Sequence, residues 1–126
     1  EQKLLLQPRS FMTLCYSLPD LFAGKMHALL YRSWKNRVKG RDWYDLEWYV
    51  RNNVKLGFDH FAKHVLQFNN EVIDRGEFLD KLKEKLATAN MNQVKSDVLP
   101  FVKNPQELDI WSNDYFVQLA DLIRFE

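Results

Sequence analysis

Leu21-Phe-Ala-Gly-Lys25-Met-His-Ala-Leu-Leu-Tyr-Arg32 and, after a short basic connector, Arg41-Asp-Trp-Tyr-Asp45-Leu-Glu-Trp48 are the two stretches that decide the fold. Pro19-Asp20 reads as a helix start. Leu21, Phe22, Leu29 and Leu30 then carry apolar spacing through about Trp34. Arg41 to about Asn52 predicts a second helix, with Trp43, Tyr44, Leu46, Trp48, Tyr49 and Val50 placing apolar or aromatic groups on nearly every side. A helix so clothed is buried on most faces. Gly40 breaks the connector between them.

Outward toward the C-terminus the pattern stays helical. Asp59 is the expected cap of a third helix through Phe68, and Phe78, Leu79, Leu82 and Leu86 stripe a fourth from about Glu77 to Ala89. Residues 91–99 read as a short helix ended by Pro100, and Asn104-Pro105 breaks the chain again. Ser112 or Asn113 caps a last helix carrying Phe116, Leu119, Ala120 and Ile123. Outward toward the N-terminus the period changes to two. Met12, Leu14, Tyr16 and Leu18 share one strand face, Lys3–Gln7 is also strand-like, and Gln7-Pro8-Arg9-Ser10 separates the two. Two strands alone are marginal in water. They either pack on the helices or end a sheet whose other strands precede Glu1, and the non-Met start favours the second. The expected class is α+β and mainly helical: a strand pair over residues 1–18, then a helical bundle over 19–126, forming one unit.

Composition narrows the function classes. With 46% hydrophobic and 28% charged residues, the chain has the makeup of a soluble globular domain. Eighteen Lys and Arg against 17 Asp and Glu leave a net charge of +1, so global charge names no partner. No apolar run approaches the roughly 20 residues that span a bilayer. Cys15, the single cysteine, allows no internal disulfide, which fits a reducing cytoplasm. It has no His or Asp partner at a telling spacing.

Three groups of residues carry potential chemistry. Lys25 lies within the apolar stripe formed with Leu21, Phe22, Ala28 and Leu29, with Arg32 two turns on. Ala23, Gly24 and Ala28 leave the backbone around it bare, open to a ligand or to another element. The competing reading is a lysine that runs its stem along the core edge and its ammonium into water. Asp42 and Asp45, one turn apart on an aromatic helix, need a divalent cation or a lysine beside them, because unpaired buried charge costs several kcal/mol. Alternatively Asp42 serves the helix start and dipole, and Asp45 a structural ion pair with Arg41 or Lys25. Arg32, Lys35, Arg37, Lys39 and Arg41 carry the connector's charge without an intervening acid. That stretch suits a polyanion, triphosphate or RNA backbone, or else is a solvated loop. His60 and His64 sit at i and i+4 but have no third ligand or His-Glu-x-x-His pattern, so zinc is disfavoured, and His27 on another face reads as structural.

The lysine helix, the arginine near its end and the Arg-Asp-x-x-Asp helix together resemble the AbiEii/AbiGii-type abortive-infection toxins of bacteria. Asp97-Val-x-Pro-Phe and Trp111 fit the same pattern. The resemblance implies a nucleotidyltransferase fold and a cytoplasmic toxin of a toxin–antitoxin system. It implies transfer of nucleotides from a nucleoside triphosphate, with Mg2+, onto an RNA acceptor, tRNA above all. It also implies a cognate antitoxin, often a DNA-binding repressor. Lys25 would contact the nucleotide phosphates, and Asp45, or failing it Asp42, would complete the site. Members carry a Gly-Ser motif and paired metal-binding acids in their first half, whereas no Gly-Ser dipeptide occurs here. The chain therefore reads as the C-terminal part of such an enzyme, inactive without its N-terminal half. The rival reading is a non-enzymatic helical module that binds RNA or protein through the connector.

Overall fold

A computed structural model describes residues 17–31 and 40–126. The expected strand pair, Cys15 and the connector cations Arg32, Lys35, Arg37 and Lys39 lie outside these residues. Among the described residues the chain is mainly helical: α1 (Leu18–Tyr31), α2 (Gly40–Arg51), α3 (Phe58–Asn69), α4 (Arg75–Thr88), α5 (Met91–Val98) and α6 (Asn113–Asp121). Two 3-10 turns, Leu99–Phe101 and Pro105–Leu108, join α5 to α6, each with a proline in its first positions, where a missing N–H does no harm.

Local chemistry fixes most helix ends. Ser17 Oγ accepts from the Asp20 amide at 3.3 Å, so α1 begins at Leu18. Ser17 and Leu18, assigned from the sequence to a strand end, are instead the cap and first residue of this helix. At α3 the expected cap, Asp59, sits inside the first turn, and Gly57 precedes the helix. Gly57 is required by contact: its N–H donates to the Pro19 carbonyl at 3.0 Å, and a Cβ there would lie 2.9 Å from Asp20 Oδ1. Asn70 closes α3 in the left-handed conformation that Asn tolerates. Asp74 and Glu77 form a reciprocal capping box that opens α4 at Arg75. Asn90 and Ser112 cap α5 and α6 through single side-chain bonds.

The core is largely aromatic. Phe22 of α1 stacks on Tyr49 of α2 with ring centroids 4.6 Å apart, and Phe61 of α3 meets Phe78 of α4 at 4.7 Å. Trp43 and Trp111 each pack edge-on against Phe116, at 4.9 Å. α1 lies between α2 and α3, α5 rests on α2, and α4 pairs with α6. The C-terminus returns to the α2–α3 loop, where Leu56 and Phe125 form an isolated parallel bridge and Phe125 packs on Phe58 and Phe78.

Candidate functional site

Lys25 and the two acids meet where α1 crosses α2. The Lys25 ammonium lies 3.0 Å from Asp45 Oδ2 and 3.7 Å from Asp42 Oδ1. The helical repeat is the cause: residues three apart share a face, so both carboxylates turn toward α1. Their surroundings differ. The Asp42 side chain is 6% exposed, Asp45 17%, and Lys25 42%. Asp42 is the one charged residue buried among the described residues, in the first turn of α2, where a carboxylate also meets the positive end of the helix dipole. Lys25 thus bridges a buried acid and a more accessible one while its ammonium still faces solvent.

The backbone around Lys25 is less bare than the sequence implied. Ala23 and Ala28 are packed into the core, and only at Gly24 would an added Cβ find nothing within 4 Å. Of the two partners expected for Asp45, Lys25 and Arg41, the lysine takes the role. Arg41 is exposed, with its guanidinium over the Phe101 ring, 4.9 Å from the centroid.

A second helix contact positions α2. The Gly40 amide, one of the N–H groups that a helix start leaves unpaired, donates to Asp97 Oδ2 at 2.7 Å. A side chain at Gly40 would run into the Val94 carbonyl of α5. Asp97 belongs to the sequence pattern, but its role as a cap for another helix was not legible there. The partners are 57 residues apart.

Behind the site, Glu47 Oε2 accepts from the Tyr115 hydroxyl at 2.6 Å and from Trp111 Nε1 at 3.3 Å, and lies 3.6 Å from Arg51 Nε. Burial and this carboxylate hydrogen bond push the Tyr115 hydroxyl above its ordinary pKa. The network anchors α2 to the C-terminal segment.

The histidines gather elsewhere, between α1 and α3. His60 and His64 rings are 4.5 Å apart and His27 lies 5.6 Å from His64, with its Nε2 on Asn69 Oδ1 at 2.8 Å. Among the described residues no group of three or more His, Cys, Asp and Glu side chains is arranged to hold a metal ion. Asp42 and Asp45 are both turned to the Lys25 ammonium.

A family model for the nucleotidyl transferase AbiEii toxin of type IV toxin–antitoxin systems matches residues 1–119. The chain belongs to the AbiEii family. Membership makes the AbiEii chain a nucleotidyltransferase toxin by family, with an antitoxin as its family partner. Neither a curated protein nor a solved structure matches it. Among the described residues, no helix of this AbiEii chain is long and apolar enough to cross a membrane.

Proposed function

We propose that the α1–α2 crossing is the phosphate-handling part of the nucleotidyltransferase site, with Lys25 and Asp45 as its working residues and tRNA as the acceptor. The observation that carries this is a lysine fixed between two carboxylates yet open to solvent over 42% of its side chain. An acceptor hydroxyl oxygen attacks the α-phosphorus of a nucleoside triphosphate, the bond to the β-phosphate breaks, and pyrophosphate leaves. Lys25 stabilises the negative charge on the phosphoryl oxygens, and Asp45 orients the ammonium and receives the hydroxyl proton. Such transfer depends mainly on positioning and charge stabilisation, and a held lysine supplies both. Asp42, more deeply buried and farther from the ammonium, fixes Lys25 from behind.

Family membership favours this reading over a non-enzymatic binding module. These 126 residues hold no Gly-Ser dipeptide, and the proposal is that transfer also needs that motif and its acids, supplied by an N-terminal half. Expression of the full-length protein in a bacterial host without its antitoxin tests the assignment. Lys25→Ala and Asp45→Asn should abolish growth arrest while the protein remains folded. Asp42→Asn should weaken it less and lower stability. Growth arrest that survives Lys25→Ala would refute the proposal, and arrest lost only in Asp42→Asn would reverse the ranking of the acids.

A further inference from the structure

One exposed aromatic lies close to the proposed site. Phe101 is 65% exposed, and the Arg41 guanidinium covers it. The ring ends the 3-10 turn Leu99–Phe101, where Pro100 restricts the backbone and holds the aromatic in place. It borders a depression of about 400 Å³ whose other walls are Gln93, Ser96, Asp97 and Pro100. Gln93, Ser96 and Asp97 fall three and four residues apart on α5, so they share the helix face that lines the depression. The volume is within the range of small-molecule sites, roughly 300–1,000 Å³.

We infer that Phe101, with Arg41 and the depression beside it, is a stacking platform for an unpaired base of a single-stranded RNA. An aromatic ring flanked by a guanidinium offers two planar π-surfaces, the arrangement on which unstacked bases settle. The amide of Gln93 and the hydroxyl of Ser96 both donate and accept, matching the mixed edge of a base. Charge selects RNA as the occupant: Arg32, Lys35, Arg37 and Lys39 lead in sequence, without an acid, into Arg41. A run of that composition suits a polyanion. Position selects it too. Arg41 is four residues before Asp45 on α2, hence its neighbour on the helix surface, so a base held at Phe101 brings its strand to the edge of the ion-paired acids. The inference rests on the reading of RNA as acceptor. It adds the element that would hold the acceptor, which nothing in the transfer chemistry requires.

The test is fluorescence anisotropy of a labelled eight-nucleotide single-stranded RNA with the intact protein, beside calorimetric titration of ATP. Phe101→Ala and Phe101→Leu should each weaken RNA binding about tenfold, within the usual range for loss of one base–aromatic stack. Phe101→Trp should hold or tighten it, and ATP affinity should not move. An oligonucleotide of the same length with abasic sites should bind the wild type and Phe101→Ala alike. Because Phe101 is exposed, all three variants should melt with the wild type. Unchanged RNA affinity in the Leu and Ala variants would overturn the inference. So would an equal loss on the abasic strand, or a loss of ATP affinity with RNA binding intact. Binding is read without turnover, so full growth arrest in Lys25→Ala would count against the catalytic assignment and leave this site standing.

Discussion

The two carboxylates that hold Lys25 differ in burial. Asp42 is almost enclosed, and removing one partner of a buried pair leaves the other uncompensated. Asp45 shares the solvent-facing side with Lys25 and is the more accessible of the two acids. The sequence placed all three residues and the spacing of the acids, but not which side of α2 met α1, because an aromatic helix has more than one apolar face. His64 gives a prediction at the same scale. Burial, then the neighbouring His60 and His27, hold its pKa below the ordinary imidazole value. The unfolded chain therefore takes up the proton first, near pH 6.5. The stability from a neutral His64 is complete above that pH and is lost as pH falls through it toward the lower folded value. Thermal unfolding at pH 7.5 and 5.5 should show the wild type losing more on acidification than His64→Gln. Parallel losses would contradict the assigned cause.

The helices themselves were legible from the spacing of their apolar residues. α2, α4 and α6 fall within two residues of their expected limits because Trp43 and Leu46, Phe78 and Leu82, and Phe116 and Leu119 each mark one buried face. The errors are at ends. Asp59 was a sound cap by type, yet the α2–α3 loop is drawn onto Pro19 of α1 through Gly57, a tertiary demand with no local trace. Likewise Phe101 and Asp97 acquire their neighbours Arg41 and Gly40 only once α5 rests on α2. The strand pair and the connector cations, read from periodicity and charge, lie outside the described residues. The Glu47 network is the element-level tie between α2 and α6, and Tyr115→Phe removes its shortest bond. The loss should be about 1–2 kcal/mol, the usual worth of a hydrogen bond to a charged group that is partly screened. Urea unfolding of the two proteins measures it. A difference near zero would show that Trp111 and Arg51 alone satisfy the carboxylate.

At the scale of the whole molecule, the helices bring two things to one end of α2: a lysine with its acids, and an exposed aromatic beside a depression. A nucleotidyltransferase needs a triphosphate and an acceptor strand side by side, and AbiEii family membership supplies the reaction that would use them. The central claim is that Lys25 acts on the phosphates. Its most direct test is the initial rate of labelled-nucleotide transfer to tRNA by the full-length protein, with magnesium, for the wild type, Lys25→Ala and Lys25→Arg. Loss of a preorganised charge at a reacting phosphate typically lowers the rate a hundredfold or more. At least that fall is expected for Lys25→Ala, assayed well below its melting temperature, with partial recovery in Lys25→Arg; Lys25→Ala should also melt below the wild type, because Asp42 loses a partner at the buried end of the pair. Transfer by Lys25→Ala within a few-fold of the wild type would contradict it.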